Sequence, residues 1–496
     1  MSQLPDGWTL TSLGAVADVN PAPAQHAERD ELVSFVPMAA VEVGTGHLDA
    51  SDQRPLSALA GKSYRSFAEG DILFAKITPC MENGKIAIAS GLANGTGFGS
   101  TEFHVIRPHQ GAHPRYLLHF LLHSKFRRDA RRQMTGTAGQ LRVPTRYLSE
   151  AAVPLPPFAE QERIVAAIQE EFSRIDAGIA ELDSARARLD ALLRAVERSA
   201  TLGLLVPQDP DDEPAGELLK RAGVLREKAM REAGRAPLPV LAPDISKLPK
   251  LPSTWAWASL DEIAEVAGGV TKDQKKQGPA GTVEVPYLRV ANVQRGRLDL
   301  RQVTTIRVPP QQANALRLLP GDILFNEGGD RDKLGRGWIW EGQIDNCVHQ
   351  NHVFRARLYT DELDPRFVST HGNAFGRLWF ERMGKQTTNL ASLNRTTLRS
   401  FPVPIPPAAE QQRIMNVLVA WTAAIRAATE HVDAQTRRSN LLRSTVLAVA
   451  FSGSLVPQDR RDEPAARLLE RLAAERAPSN GHQMGRSRGP RTKVTA

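Results

Sequence analysis

Hydrophobic residues along this chain follow two patterns, one typical of short strands and one typical of long amphipathic helices. Short apolar runs bounded by glycine, asparagine and proline predict strands at residues 72–75, 86–89, 103–106 and 353–356. Residues 114–134 and 365–383 each begin with proline and predict one helix apiece. The pattern therefore predicts a globular region of mixed α and β structure before each of two long helices.

Apolar residues that recur every three or four positions predict these long helices. In the first helix they are Val165, Ile168, Phe172, Ile175, Ile179, Leu182, Leu189, Leu193 and Val196. In the second they are Ile414, Leu418, Trp421, Ile425, Val432, Leu442 and Val446. The first series, broken once at Arg186, predicts a helix of about 40 residues and about 60 Å. One alternative is that each helix packs only on its own domain. Because so long an apolar seam exceeds what one small domain can cover, we expect the two helices to pack on each other.

The chain also repeats itself once, at an offset of about 250 residues. Four pairs of segments show the repeat: 4–8 with 251–255, 69–74 with 320–325, 153–157 with 403–407, and 205–209 with 455–459. Chance matches would not keep their order at a constant shift, so the pattern indicates a duplication of the whole chain.

Each copy has the same predicted plan, which divides the chain into six parts. They are a globular region at 1–157, a helical region at 158–235, a proline-rich linker at 236–250, a second globular region at 251–407, a second helical region at 408–476, and a basic tail at 477–496. A shorter helix is predicted near residues 215–233, and the polar tail is expected to be disordered. A proline-rich segment at 153–157 or 403–407 is predicted to end each globular region.

Basic residues outnumber acidic ones in this chain, which gives a net charge of +8 and a pI of about 9.6. A basic chain favours an anionic partner. The charge is uneven, since residues 158–246 carry 12 Lys and Arg against 17 Asp and Glu, whereas residues 247–407 carry 22 against 16. One uniform basic face is therefore not expected.

The two cysteines, Cys80 and Cys347, are far apart, which argues against a disulfide framework or a cysteine-based zinc site. No signal pattern and no membrane-spanning apolar run is present in the sequence. These features predict a cytoplasmic protein without membrane contact.

Catalytic and cofactor motifs are missing from the sequence. The glycines of residues 95–99 resemble a nucleotide-binding loop only in composition, so we expect a turn there. His104 and His352 lie in strand-like runs and are interpreted as structural residues. No zinc-protease helix or nucleophile elbow occurs. We therefore expect no catalysis, cofactor or metal in this chain.

The order of motifs, twice over, resembles the specificity subunit of type I restriction-modification systems. The segments that carry the resemblance are 67–79, 81–88 and 100–107 in the first copy, 321–325, 327–337 and 350–355 in the second, and both proline-rich segments with the Ala-Glu-Gln that follows them. The resemblance covers nearly the whole chain except the tail.

This resemblance implies that each globular region is a target recognition domain that reads one half of a split DNA site. It implies that the helices form an antiparallel coiled coil within a pseudo-twofold repeat. It also implies two methyltransferase subunits and restriction subunits as partners, and those partners, rather than this chain, would use S-adenosylmethionine, ATP and Mg²⁺. Because the copies have diverged between the shared segments, an asymmetric bipartite double-stranded DNA target is expected.

The residues expected to contact DNA lie in two loops of each copy, where glycine permits close backbone approach and polar side chains can bond phosphates and bases. They are Lys76, Thr78, Asn83, Lys85, Gln140, Arg142, Arg146, Arg331, Lys333, Arg336, Asn394 and Arg395. The alternative for the glycine-containing turns at Asn83, Gly84 and Gly335 is a purely structural role. The basic residues of 125–132 fit a solvated helix face as well as a phosphate contact.

Two other classes of protein remain as alternatives. One is a methyltransferase or nuclease fused to the recognition regions, which would need a cofactor loop and a catalytic motif. The other is a scaffold that binds only proteins, which the two diverged basic loop regions disfavour.

Overall fold

The computed structural model describes residues 4–22, 30–59, 62–137, 139–236, 239–272, 278, 280–329, 334–383, 385–386 and 391–476. The chain forms two compact units, one of residues 1–182 and 434–496, the other of residues 183–433. Each unit thus combines one predicted globular region with parts of both predicted helical regions. The predicted tail at 477–496 lies outside the described residues.

The described residues of the first unit's globular part contain ten strands. They are β1 (Thr9–Ser12), β2 (Ala17–Val19), β3 (Leu32–Val36), β4 (Gln53–Pro55), β5 (Arg65–Ala68), β6 (Ile72–Ala75), β7 (Ile86–Ile88), β8 (Thr96–Gly99), β9 (Phe103–Pro108) and β10 (Ala152–Leu155). Its helices are α1 (Leu13–Val16), α2 (Leu56–Leu59), α3 (Pro114–Leu122), α4 (Ser124–Arg132) and α5 (Thr145–Glu150).

The second globular part contains the strands β11 (Ala256–Ser259), β12 (Ala264–Ala267), β13 (Val283–Leu288), β14 (Val293–Gln294), β15 (Arg297–Leu298), β16 (Thr304–Val308), β17 (Ile323–Asn326), β18 (Gly328–Gly329), β19 (Gly337–Ile339), β20 (Val348–His349), β21 (Val353–Leu358), β22 (Lys385–Gln386), β23 (Ala391–Ser392) and β24 (Pro402–Ile405). Its helices are α8 (Leu260–Ile263), α9 (Pro310–Ala315), α10 (Pro365–Ala374), α11 (Gly376–Met383) and α12 (Arg395–Arg399). The remaining helices are α6 (Phe158–Thr201), α7 (Ala215–Glu232), α13 (Ala408–Phe451) and α14 (Ala465–Arg476).

Corresponding sheets occur in both units. The antiparallel sheet β2-β9-β6-β7 of the first unit corresponds to β12-β21-β17-β19 of the second. The mixed sheet β4-β3-β8-β5 corresponds to β16-β13-β20, and each contains one parallel pair. The same ion pair braces both antiparallel sheets: Arg107 donates to both carboxylate oxygens of Asp71, and Arg357 does the same to Asp322, at 2.7–2.8 Å. The repeated sequence therefore folds into a repeated domain.

The four predicted strands are present, but the predicted helices at 114–134 and 365–383 each divide into two. His123 has an extended backbone conformation, with a ψ of 129°, and separates α3 from α4. Phe375 separates α10 from α11. The expectation of one continuous helix was therefore wrong in both copies.

The expected turn at residues 95–99 is a strand over most of its length. Residues 93–95 turn, and β8 then pairs with β3 and β5. Its glycines leave room for an aromatic ring, since a Cβ at Gly97 would lie 2.2 Å from Phe67 Cε2. Close packing of that ring explains the glycine at position 97, whereas Gly95, with a φ of +65°, belongs to the turn.

The two proline-rich segments are strands as well as ends of the globular regions. β10 pairs with β1 and β24 pairs with β11, each in an isolated two-stranded sheet. Proline is tolerated here because each strand has only one neighbour and needs few backbone donors.

The long helices α6 and α13 each contain 44 residues, or about 66 Å at the usual rise per residue. Two residues of the predicted second seam do not face inward: Trp421 and Leu442 are 45% and 46% exposed. Arg443, whose guanidinium lies 4.9 Å from the ring centroid of Phe172, and buried Leu447 face inward near Leu442 instead. The predicted seam included Leu442 because the inward-facing residue next to it, Arg443, is polar and does not appear in an apolar pattern.

A buried glutamate at the start of each long helix joins the globular domain of its own copy to the segment that follows the other long helix. We call this arrangement the carboxylate anchor. In the first unit, Glu160 accepts hydrogen bonds from Trp8 Nε1 at 3.1 Å and from Gln458 Nε2 at 3.4 Å. Arg163 pairs with Asp462 at 2.6 Å beside it. The backbone N–H of Ala465 then donates to Gly7 at 2.9 Å, where α14 begins.

The second unit contains the same anchor built from the other copies of these segments. Glu410 accepts from Trp255 Nε1 at 2.9 Å and from Gln208 Nε2 at 2.6 Å. Arg413 donates to Asp212 at 3.2 Å. Each unit is therefore completed by a segment that follows the other copy's globular region in the chain.

Candidate nucleic-acid interface

The two loops predicted to contact DNA in the first copy lie side by side in the structure. The backbone N–H of Thr78 donates to the carbonyl of Leu141 at 3.0 Å, and the N–H of Leu141 donates to Thr78 Oγ1 at 3.2 Å. The N–H of Val143 donates to the carbonyl of Lys76 at 2.9 Å. The loop after β6 and the loop before α5 therefore form one surface.

Three charged side chains meet on this surface. Arg142 donates to both carboxylate oxygens of Glu102, with Nη2–Oε1 and Nε–Oε2 distances of 2.8 and 2.9 Å. Lys76 Nζ donates to the carbonyl of Thr101 at 2.8 Å. The hydrogen bond from Arg142 lowers the pKa of Glu102, and burial lowers the pKa of Lys76. The cluster has two cations and one anion, so it carries a net positive charge.

The other candidates of the first copy differ in what they contact. Lys85 Nζ donates to the carbonyl of Met38 at 2.8 Å, which draws the side chain toward the domain. Arg146 is exposed and pairs with Glu150 at 2.8 Å along α5. Asn83 and Gln140 are exposed. Three of these side chains are therefore exposed to solvent: Asn83, Gln140 and Arg146. The Lys85 ammonium instead already has a hydrogen-bond partner within the domain.

The local backbone and packing require glycine at both turns, independently of any contact with DNA. Gly84 has a φ of +75°, and a Cβ there would lie 3.2 Å from Arg127 Nη1. Gly335 has a φ of +62°, and a Cβ there would lie 2.0 Å from Phe380 Cδ2. Neither position accepts a larger residue without strain.

In the second copy, the candidates Arg331 and Lys333 lie outside the described residues. Arg336 is partly buried, and its carbonyl accepts a hydrogen bond from the N–H of Asn326 at 3.0 Å. The Asn394 side chain caps α12 by accepting from the N–H of Thr397 at 2.8 Å, so this oxygen already has a structural partner. Arg395, next to the cap, is exposed.

The corresponding loop surface of the second unit contains two further residues that the sequence analysis did not identify. Glu327 follows β17, and His352 precedes β21 in a turn rather than in the expected strand. His352 Nδ1 donates to Glu327 Oε2 at 2.6 Å, and the histidine side chain is 55% exposed. The signal available in the sequence was the alignment of Glu327 with Lys76, a reversal of charge between the copies.

His104 has the structural role that the sequence suggested. It is buried, its Nε2 donates to the carbonyl of Val143 at 2.8 Å, and its Nδ1 accepts from Asn20 Nδ2 at 3.0 Å. Burial lowers its pKa to about 4, so the ring is neutral near pH 7. It supports the loop that carries Arg142.

The described part of the chain brings together no group of three or more His, Cys, Asp and Glu side chains that could hold a metal ion. Among the same residues, no helix is long and apolar enough to cross a bilayer.

The chain matches the family described as the type I restriction modification DNA specificity domain, over residues 5–181 and again over 252–432. These two matches make it a protein with two tandem DNA specificity domains. The chain belongs to this family, and it is a specificity subunit of the type I restriction-modification class. The predictions of family, function and absence of an enzymatic role are thereby confirmed, because the relatives are specificity subunits.

Two curated relatives come from Escherichia coli. The EcoAI specificity subunit is 33% identical over 469 residues, which cover 84% of this chain and 77% of the relative. The EcoKI specificity subunit, from strain K12, is 24% identical over 98% of this chain and 99% of the relative. A solved structure described as addressing complex assembly and conformational transition of the type I R-M system has a TM-score of 0.61 at 20% identity, covering 92% of this chain and all of that one. It supports the fold alone.

Proposed function

We propose that this chain reads an asymmetric, two-part site in double-stranded DNA, with one half-site bound by each recognition domain. The observation that carries the proposal is the same fold present twice with different polar side chains on the corresponding loops. Lys76, Glu102 and Arg142 occupy the loop surface of the first domain, and Glu327 and His352 occupy that of the second. Different side chains on one fold read different bases.

The two long helices form an antiparallel coiled coil that acts as the spacer between half-sites. In the second unit, Val196 and Ala200 of α6 share an apolar cluster with Ile414 and Leu418 of α13. Further along, Arg186 of α6 pairs with Asp433 of α13. Residue numbers therefore rise along one helix as they fall along the other, which supports antiparallel packing.

The first unit supports the same arrangement from the other ends of the helices. Val165 and Ile168 of α6 share a cluster with Leu447 and Ala450 of α13, and Asp176 pairs with Arg443. With the repeated anchors, these matching contacts support a pseudo-twofold relation between the two copies.

The chain acts within a complex that includes two methyltransferase subunits and restriction subunits, which supply S-adenosylmethionine, ATP and Mg²⁺ chemistry. Large apolar side chains on α13 remain exposed: Val419, Trp421, Leu441 and Leu442. Tryptophan is enriched at protein–protein interfaces, so the exposed ring of Trp421 supports docking of a methyltransferase on this helix. Since the substrate is the cell's own DNA, we place this activity in the cytoplasm.

The proposal is tested by purifying the chain alone and together with its methyltransferase partner, and mapping N6-methyladenine on genomic DNA. Methylation at one split sequence motif is expected only when both proteins are present. Methylation by the chain alone would support the fused-enzyme alternative instead. Binding measurements need a stated salt concentration, because phosphate contacts make affinity strongly dependent on salt.

A further inference from the structure

The same backbone frame occurs on the loop surface of both recognition domains. In the first, the N–H of Lys76 donates to the carbonyl of Glu102, and the N–H of Val143 donates to the carbonyl of Lys76, both at 2.9 Å. Ile77 and Arg142 form an antiparallel bridge beside them. Three chain segments therefore meet at one point: the end of β6, the turn before β9 and the loop before α5.

The second domain contains this frame bond for bond. The N–H of Glu327 donates to the carbonyl of His352 at 2.9 Å, and the N–H of Leu393 donates to the carbonyl of Glu327 at 2.7 Å. Gly328 pairs antiparallel with Ser392. Glu327, His352 and Ser392 thus occupy the positions that Lys76, Glu102 and Arg142 occupy in the first domain.

The side chains on this shared frame are of opposite chemistry. The central position has a cation, Lys76, in the first domain and an anion, Glu327, in the second. The position on the turn has an anion, Glu102, in the first and an imidazole, His352, in the second. Arg142 is replaced by the short hydroxyl of Ser392. The backbone is therefore constant while charge and hydrogen-bonding capacity are exchanged.

These side chains remain within reach of a ligand. The side chains of Arg142 and His352 are 40% and 55% exposed, and those of Glu102 and Glu327 are each 25% exposed. Their partners hold them in place: Arg142 grips Glu102 through two hydrogen bonds, and His352 donates to Glu327. Held but accessible polar groups suit the reading of base edges, which requires fixed donors and acceptors.

We propose that this three-position frame contains specificity-determining residues of each domain, and that the reversal from Lys76 to Glu327 makes the two half-sites differ. The inference rests on the proposed function. Lys76 and Arg142 offer donors, which match the O6 and N7 acceptors of guanine in the major groove. Glu327 offers an acceptor, which matches the amino group of cytosine. His352 positions the Glu327 carboxylate, and Glu102 positions Arg142.

A purely structural role for these pairs is the competing explanation, and two features speak against it. The frame itself is made of backbone hydrogen bonds, which do not depend on the side chains. In addition, a pair needed for folding would be expected in both copies, as the Arg107–Asp71 and Arg357–Asp322 pairs are. The frame side chains instead differ at all three positions.

The test uses the chain assembled with its methyltransferase partner and a library of DNA duplexes with randomised sequence. Bound duplexes are sequenced for the wild type and for two variants that remove charge: E327Q, which keeps the side-chain length, and K76Q, which shortens the side chain slightly. Matched controls are E341Q and K62Q, at exposed positions in the same domains and away from the frame. Thermal unfolding of each variant checks that the fold is retained.

We expect E327Q to lower the preference for cytosine at one position of one half-site by roughly tenfold, and to shift that position toward adenine, which an amide side chain recognises. The other half-site stays unchanged. K76Q lowers a preference for guanine in the opposite half-site, and both controls keep the wild-type motif. E327K is expected to shift the affected position toward guanine.

The inference is overturned if E327Q and K76Q both select the wild-type motif, or if either weakens binding equally to all sequences. A wild type that selects no split motif would contradict the proposed function itself. The two failures are therefore distinguishable in one data set.

Discussion

The carboxylate anchor of the first unit provides a quantitative prediction about how the C-terminal segment is held. Glu160 is 1% exposed, and it is the acceptor for the indole N–H of Trp8 and for the amide of Gln458. In E160A the buried indole donor loses its acceptor, which costs about 1–3 kcal/mol. We expect the free energy needed to open the segment at 453–470 to fall by that amount.

The hydrogen bonds that Glu160 accepts stabilise the folded unit, whereas its buried charge destabilises it. Burial raises the pKa of Glu160, so the folded unit binds a proton more readily than the unfolded chain does. The contribution of this group to the free energy of unfolding is therefore largest below the ordinary glutamate pKa, and it decreases as pH rises through the raised pKa. E160Q keeps an oxygen acceptor and removes the charge. We expect it to be neutral or stabilising at pH 7, in contrast to E160A.

Hydrogen exchange followed by mass spectrometry measures this opening directly. E160A should accelerate exchange in peptides from 453–470, by about tenfold for each 1.4 kcal/mol. The matched variant E410A should act on residues 203–220 instead, because Glu410 anchors that segment. The reasoning is refuted if E160A leaves exchange at 453–470 unchanged, or if E160Q accelerates it as much as E160A does.

Three further predictions concern other parts of the chain. G335A should destabilise the second unit by at least about 1–3 kcal/mol in urea unfolding, because a Cβ there meets the ring of Phe380 and the backbone has a positive φ; an unchanged midpoint would contradict this. E197Q should stabilise the chain at pH 7 by up to about 2 kcal/mol and flatten its stability between pH 4.5 and 6, because burial raises the pKa of Glu197 to about 6; an unchanged pH profile would count against it. W421A should weaken methyltransferase binding, measured by calorimetry, while the unfolding midpoint stays the same; equal affinity would exclude Trp421 from the docking surface.

Much of the architecture follows from the sequence because it depends on pattern and repetition. The 250-residue repeat, the strand at Ile72–Ala75 and the short helix near residue 215 depend on local composition and order, and the structure contains all of them. The strand at Thr96–Gly99 could not be recognised, because its glycines reflect contact with Phe67, a residue distant in sequence. The exposed position of Trp421 was missed for a related reason: which face of α13 is buried depends on its partners.

The loop surface was predicted in part. The sequence located the two loops of the first domain, and the structure brings Lys76 and Arg142 together there. It did not select Glu102 or Glu327, because acidic residues were not sought at a DNA surface. Asn394 was selected as a polar loop residue, whereas its side chain caps a helix. Composition identifies a polar loop, but only the hydrogen-bond partners separate the groups that serve the fold from those available to a ligand.

The central claim is that each recognition domain reads its own half of a split DNA site. The most direct test replaces residues 1–157 with the corresponding region of another specificity subunit, pairs the hybrid with the methyltransferase, and maps methylated adenines across a genome. The account predicts that one half of the recognition motif changes while the other half stays as in the wild type. A change in both halves, or in neither, would contradict it.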